Sequence, residues 1–125
     1  MTPRHWNDAF SVGNPHLDSE HRLLLGLIHR LEEVGTAGLQ EVLDGLIAYA
    51  NEHFRHEEAL MARGGFPGLE AHRGLHEAFR QEVQGFLTRS EQEPEVLLGP
   101  LRAFLEAWWE QHILREDAKY RPYLS

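Results

Sequence analysis

The stretch HFRHEEALMARGGFPGLEAHRGLH, His53–His76, is the part of the sequence that decides the fold. It places His53 and Glu57 four residues apart, then a glycine- and proline-rich break, then His72 and His76 four residues apart. A four-residue step on an α-helix rises about 6 Å and turns about 40° past one full turn, so each pair points in one direction. Because the break lets a second helix return beside the first, all four side chains could meet as metal ligands between antiparallel helices.

The composition indicates one globular domain and excludes several classes of partner. At 125 residues with 42% apolar residues, the chain is long enough to bury one sizeable core. The formal net charge of −8 argues against nucleic acid and against an anionic membrane surface. No apolar run approaches the roughly 20 residues that span a bilayer, and Met1–Pro15 lacks the features of a signal peptide. We therefore expect a cytoplasmic monomer with no membrane or nucleic-acid partner.

Histidine is the unusual feature of the composition. The chain has nine histidines and no cysteine. The lack of cysteine excludes a disulfide framework, a thiolate metal site and a cysteine nucleophile. Imidazole is the commonest nitrogen ligand for metals, so the excess of histidine points towards metal binding.

Helical spacing of apolar residues predicts an all-α protein, an up-down-up-down four-helix bundle with an irregular N-terminal arm. In a single domain of residues 1–125, the arm covers residues 1–17 and the bundle residues 18–120. We expect Trp6 and Phe10 of the arm to dock on the bundle, and Asp18 to cap the first helix. The other helices are predicted from about Leu39 to Ala62, from about Leu69 to Ser90 and, after a short turn at 94–98, from about Pro100 to Tyr120.

Every predicted helix carries an inward side chain that can bind a metal. These are His21 on the first helix, His53 and Glu57 on the second, His72 and His76 on the third, and His112 and Asp117 on the fourth. His112 and Asp117 are five residues apart, about 140° of rotation on an ideal α-helix. Either a local π-helical bulge brings them together, or Asp117 reaches in from one turn further along.

Seven such ligands suffice for two metals. The five imidazoles can divide into three on one metal and two on the other. If Glu57, Asp117 and an oxide or hydroxide each bind both metals, every metal gains three more ligands. One metal is then six-coordinate, and the other is five-coordinate with one open position. Imidazole with carboxylate suits iron, and also manganese or zinc, whereas structural zinc usually has thiolate ligands. An open position on a reducible pair of metals suggests a small diatomic ligand.

These residues resemble the hemerythrin family, specifically its single-domain bacterial members. The resemblance spans Trp6 to Asp117 and rests on Asp18-x-x-His21, His53-Phe-x-x-Glu57-Glu58-x-x-Met61, Gly65-Phe66-Pro67, His72-x-x-x-His76-x-x-Phe79 and Trp108-x-x-x-His112-Ile113-x-x-x-Asp117. It implies two iron ions joined by an oxo or hydroxo bridge, with dioxygen as a reversible ligand for carriage, storage or scavenging. It assigns His72, His76 and His112 to the full iron, His21 and His53 to the open one, and Glu57 and Asp117 to both.

Two residues depart from the family pattern. Trp109 stands where a smaller aliphatic residue is usual, and with Leu24 and Ile113 it is expected to line the oxygen pocket and narrow it. Glu20 stands where glutamine is frequent, and it either contacts a ligand from outside the site or is solvated.

Other functions remain open at this point. The same centre could belong to an enzyme that reduces nitric oxide or peroxide, to an oxygen or redox sensor that acts on a separate partner, or to a structural site with zinc. No dedicated catalytic acid or base is evident beside the open position, so we assign no catalytic residue. The remaining histidines are expected at the surface or between helices: His5, His16, His29 and His56.

Overall fold

The computed structural model describes residues 6–123, and their regular structure is helical, with no strand among them. The four main helices are α1 (Pro15–Val34), α2 (Leu39–Gly64), α3 (Leu69–Ser90) and α4 (Pro94–Trp108). Each packs against the next, and α4 also packs against α1, which confirms the predicted four-helix bundle. Within residues 6–123, no helix combines the length and the apolar character needed to cross a membrane.

The first helix begins three residues before the predicted cap. The side chain of Asn14 accepts a hydrogen bond from the backbone N–H of Leu17, and Pro15 occupies the first turn, where its missing N–H costs nothing. The prediction that Asp18 caps this helix was wrong. Asp18 lies inside the helix and accepts hydrogen bonds from the backbone N–H of Val12 at 2.9 Å and the hydroxyl of Ser11 at 2.5 Å, which fastens the arm to α1.

The reversal between α2 and α3 depends on two glycines. Gly65 ends α2 with φ of 73°, a left-handed conformation that glycine adopts without a steric penalty. The N–H of Phe66 donates to the carbonyl of Met61 at 3.0 Å and closes the helix end. Gly64 has no room for a side chain, because the carbonyl oxygen of Tyr123 lies where its Cβ would be.

The last helix also begins earlier than predicted. It begins at Pro94 rather than Pro100, and Pro100 lies within it. The expected loss of a hydrogen bond at Pro100 is tolerated because Pro100 and Val96, whose carbonyl would have accepted that bond, are both exposed. After Trp108 the chain continues as a π-helix, Trp109–Glu116.

The π-helix decides between the two alternatives for the fourth helix. The N–H of Asp117 donates to the carbonyl of His112, five residues back, which is the hydrogen bond of a wider helical turn. The bulge therefore places both side chains on the same side of the helix. A 3-10 helix, Asp117–Tyr123, follows and includes Pro122, so helical structure continues past the predicted end at about Tyr120.

Apolar clusters lie on both sides of the ligand residues. The larger cluster fills most of the bundle, and a small one closes the other end, formed by Val12, Leu17, Met61 and Tyr120. The arm docks as predicted: the ring of Phe10 meets those of Trp6 and Trp109 edge to face, each at 5.6 Å between centroids. The predicted ligand residues, which lie between the two apolar clusters, are therefore shielded from solvent.

Candidate metal centre

The bundle brings the seven predicted ligand side chains into one buried cluster. The start of α1, the end of α2, the start of α3, the π-helix after α4 and the first residue of the 3-10 helix all contribute to it. None of the seven is more than 3% exposed: His21, His53, Glu57, His72, His76, His112 and Asp117. They form two overlapping groups that share Glu57 and Asp117, and each group could hold a metal ion.

One oxygen of each carboxylate faces a group of three histidines. Oε1 of Glu57 lies 3.0 Å from Nε2 of His72 and 2.9 Å from Nε2 of His76. Oδ1 of Asp117 lies 2.9 Å from the same nitrogen of His72 and 3.1 Å from Nε2 of His112. His72 is therefore in contact with both carboxylates.

The other oxygen of each carboxylate faces the remaining two histidines. Oε2 of Glu57 lies 3.1 Å from Nε2 of His53 and 3.6 Å from Nε2 of His21. Oδ2 of Asp117 lies 3.1 Å from the same nitrogen of His21. Ligands at right angles on one ion, each about 2.1 Å from it, are about 3.0 Å apart, so most of these spacings suit neighbouring ligands of a shared ion.

The buried polar atoms without a hydrogen-bond partner also fit a metal centre. Nine buried side-chain nitrogen and oxygen atoms in residues 6–123 lack a hydrogen bond, and six of them belong to this cluster. They are both ring nitrogens of His21, Nε2 of His53, Nδ1 of His112 and both oxygens of Asp117. An unpartnered buried polar atom costs about 1–3 kcal/mol, so a cation between the two groups would relieve part of this cost for the atoms that face it.

The cluster buries two ionised carboxylates. Burial raises the pKa of Glu57, but the positive charge of His53 and the nearby ring nitrogens of His21 and His53 outweigh it and leave the pKa well below the ordinary value. Burial and the charge of Glu57 raise the pKa of Asp117, but the charge of His112 and the ring nitrogens of His112 and His21, each 3.1 Å away, lower it below the ordinary value. Such buried negative charge requires compensation by cations or by protons on the histidines.

Two further carboxylates orient ligand rings from outside the cluster. Oε2 of Glu58 lies 2.7 Å from Nδ1 of His76, and Oε1 of Glu20 lies 3.0 Å from Nδ1 of His53. When each Nδ1–H donates to its carboxylate, the unprotonated Nε2 faces the cluster as a metal ligand requires. Of the two alternatives for Glu20, the structure shows the contact with a ligand rather than a solvated side chain, since only 14% of the side chain is exposed.

Aromatic rings pack against three of the histidines and keep them in place. The stacked pairs are Phe54 on His76 with centroids 3.8 Å apart, Trp108 on His112 at 3.9 Å, and Tyr49 on His53 at 5.0 Å. Stacking fixes the plane of each imidazole, so the ring can reorient only if its neighbour moves as well.

Two residues that contact the ligands were not predicted as site residues from the sequence, Glu58 and Tyr120. The hydroxyl of Tyr120 donates a hydrogen bond of 2.6 Å to Oε2 of Glu57. Burial and the charge of Glu57 raise the pKa of Tyr120, so the hydroxyl keeps its proton. A signal was present in each case, because Glu58 directly follows Glu57 and Tyr120 lies one helical turn after Asp117.

The residues expected to line an oxygen pocket are all buried in the larger apolar cluster. Leu24 and Trp109 are 0% exposed and Ile113 is 1% exposed. Leu24 lies one turn after His21 on α1, while Trp109 and Ile113 lie one turn before and immediately after His112. Each of the three is therefore close to a ligand residue along its own helix. That they line an oxygen pocket remains a prediction.

Comparison with known proteins identifies the family of the chain. The family model of the hemerythrin HHE cation binding domain matches residues 12–124. The chain belongs to the hemerythrin family. A bacteriohemerythrin of Stenotrophomonas maltophilia is 32% identical over 119 residues, which cover 92% of this chain and 77% of that protein. A myohemerythrin of Riftia pachyptila is 32% identical over 124 residues, which cover 96% of this chain and 92% of that protein.

A solved hemerythrin has the same fold. The crystal structure of a hemerythrin mutant superposes with a TM-score of 0.85 at 22% identity, and the match covers 100% of this chain and 99% of that one. The predicted resemblance to the hemerythrin family is therefore confirmed. Membership in this family implies iron binding, and the buried cluster of histidine, glutamate and aspartate is a group that could bind metal.

Proposed function

We propose that this hemerythrin-family chain holds two iron ions and binds dioxygen reversibly, for oxygen carriage, storage or scavenging. The observation that carries the proposal is the division of the ligands, in which each carboxylate turns one oxygen to three histidines and the other to two. His72, His76 and His112 would hold one iron, His21 and His53 the other, and Glu57 and Asp117 would contact both. The two-histidine side has one protein ligand fewer, which favours a vacant position for a small ligand there.

Two iron ions held by these residues would supply the electrons that reversible dioxygen binding requires and would recover them on release. The protein supplies conditions that favour reversal. Five imidazoles and two carboxylates carry less negative charge than a carboxylate-rich shell, so they stabilise highly oxidised iron less. Leu24, Trp109 and Ile113 keep water away from the buried cluster, and a dry site is a poor source of the protons that would release reduced oxygen species.

Repeated oxygenation tests this function. Reduced, iron-loaded protein is exposed to dioxygen and degassed over several cycles, with uptake and release followed by an oxygen electrode. We expect one dioxygen taken up and returned per chain in each cycle. Dioxygen that is taken up but not released on degassing would contradict reversible binding. Many turnovers of nitric oxide or peroxide with a reductant would favour an enzyme instead.

Metal uptake by the metal-free protein is expected to release protons. Burial lowers the pKa of both His53 and His72, but nearby carboxylates outweigh it and raise the pKa of His53 to about 10 and that of His72 to about 9. At pH 7, below both pKa values, each ring carries a proton that a metal must displace. The apparent metal affinity should therefore rise with pH, about tenfold per pH unit for each proton released, until the pH passes these pKa values.

Calorimetry in buffers of different ionisation enthalpy measures this release directly. We expect at least two protons per chain at pH 7, and a smaller number as the pH approaches 10, where His53 loses its proton before metal binds. Metal uptake with no net proton release would contradict binding by rings that are protonated in the metal-free protein.

Replacement of Trp109 by leucine is expected to speed dioxygen exchange. The buried indole packs against Phe10 of the arm and is expected to line the oxygen pocket with Leu24 and Ile113, so a smaller side chain would widen that pocket. We expect both the association and the dissociation rate constants to rise by about tenfold, which corresponds to a barrier lower by about 1.4 kcal/mol. Laser flash photolysis or stopped-flow mixing measures both constants.

A matched control for this variant is Phe86→Leu. Phe86 is another buried aromatic residue, and it lies ten residues after His76 on α3, about 15 Å along the helix. It should leave both rate constants unchanged. Equal rate constants for the wild type and Trp109→Leu would show that the indole does not restrict the pocket.

A further inference from the structure

A second group of metal-ligating side chains lies outside the buried cluster. His16 and Glu20 are four residues apart on α1, and His56 faces them from α2. Nε2 of His16 lies 3.2 Å from Nδ1 of His56, and this Nδ1 lies 3.1 Å from Oε2 of Glu20. The side chain of His16 is 62% exposed and that of His56 is 35% exposed, so the group is open to ions in solvent.

One ring nitrogen of His56 faces two partners. Nδ1 of His56 is within hydrogen-bonding distance of both Oε2 of Glu20 and Nε2 of His16. Without a metal, its N–H can be shared between the carboxylate oxygen and the lone pair of His16 as a three-centre hydrogen bond. A cation in place of this shared proton would be bound by all three residues.

Two of the three spacings suit a small tetrahedral ion. Ligands about 2.05 Å from a tetrahedral zinc ion are about 3.3 Å apart, close to the observed 3.2 Å between His16 and His56 and 3.1 Å between His56 and Glu20. Nε2 of His16 lies farther from Glu20, 3.8 Å from its Oε1, so the exposed His16 side chain would move slightly towards Glu20 to complete the site. Two histidines and one glutamate are a ligand set of mononuclear zinc sites in which a water takes the fourth position.

We propose that His16, Glu20 and His56 form a second, solvent-accessible site for a zinc-like divalent cation, separate from the buried cluster. Glu20 joins the two sites, because its Oε2 faces His56 while its Oε1 contacts Nδ1 of His53. The carboxylate can serve both at once through its two oxygens. The exposed site therefore lies next to His53, on the Nδ1 side of its ring, and shares Glu20 with it.

Zinc titration of the iron-loaded protein tests the proposal. Calorimetry with metal analysis should show one zinc bound per chain with the iron retained. His16→Ala and His56→Ala should each weaken zinc binding at least tenfold, since even loss of a residue that only supports a ligand costs about 10–100-fold. The control His29→Ala changes another histidine of α1 that is not in the group, and it should bind zinc as the wild type does. Glu20 is left unchanged because it also contacts His53.

Three results would overturn the proposal. They are no zinc bound in addition to the iron, zinc that enters only by releasing iron, and zinc binding that is equal in the wild type, His16→Ala and His56→Ala. The proposal does not require the buried centre to contain iron. If the protein takes up no iron pair, zinc titration of the metal-free protein still isolates the exposed site, because only its zinc responds to His16→Ala.

Discussion

Replacement of Glu57 by glutamine is expected to lower the metal content from two ions per chain to one or none. The two oxygens of this carboxylate face different groups of histidines, Oε1 towards His72 and His76 and Oε2 towards His53. An amide keeps only one oxygen, and its NH₂ group is a donor that cannot bind a metal. The substitution also removes a buried negative charge that would compensate the metal charge.

Glutamine is nearly the same size as glutamate, so loss of metal would reflect chemistry rather than a cavity. The matched control is Glu52→Gln, five residues earlier on α2, where the side chain is exposed and pairs with Arg55. Metal analysis after anaerobic iron loading should give two ions per chain for this control. Two ions per chain in Glu57→Gln would mean that Glu57 does not bridge.

Replacement of Glu58 by alanine is expected to weaken metal binding by about 10–100-fold, the usual cost of losing the partner of a ligand histidine. Glu58 accepts a hydrogen bond from Nδ1 of His76 at 2.7 Å and also lies 3.4 Å from Nε of Arg73. Without this acceptor, Nδ1 of His76 no longer has a carboxylate that keeps the proton on it, and the proton can move to Nε2, the nitrogen that faces the cluster.

A graded series separates this effect from a general loss of stability. Glu58→Gln should weaken binding less than Glu58→Ala, because the amide oxygen can still accept from His76. Glu77→Ala, an exposed change in a residue that pairs with Arg80, should bind metal as the wild type does. Competition with a chelator measures all of these affinities, and equal values for Glu58→Ala and Glu77→Ala would show that Glu58 does not support the metal-binding role of His76.

The bundle and its ligand residues could be predicted because both depend on local periodicity. The four-residue steps from His53 to Glu57 and from His72 to His76 fix the direction of each pair as soon as the segments are helical. Four amphipathic segments with short connections then leave few alternatives to an antiparallel bundle. The five-residue step from His112 to Asp117 does not fit an ideal α-helix. It therefore predicted either a π-helical bulge, which the structure contains, or an Asp117 side chain that reaches in from the next turn.

The helix starts could not be decided from the sequence because two residues competed at each. Asn14 and Asp18 are both good caps, and the choice depends on the arm, which engages Asp18 through Ser11 and Val12. Pro94 and Pro100 are both acceptable in a first turn, and the outcome depends on which side of α4 faces solvent. Tertiary packing decides both cases.

Side-chain contacts between helices could not be predicted from the sequence either, because they also depend on tertiary packing. His16 and His56 are 40 residues apart and were expected at the surface, where the structure places them, yet their meeting at Glu20 depends on the register of α1 against α2. The same register brings Glu20 to His53. His5 lies outside the residues that the structure describes.

We propose that the two overlapping groups of ligands form one centre for two iron ions. Metal analysis of protein loaded anaerobically with ferrous iron tests it most directly. We predict two iron ions per chain in the wild type. A single ion per chain, whether iron or zinc, would contradict the claim.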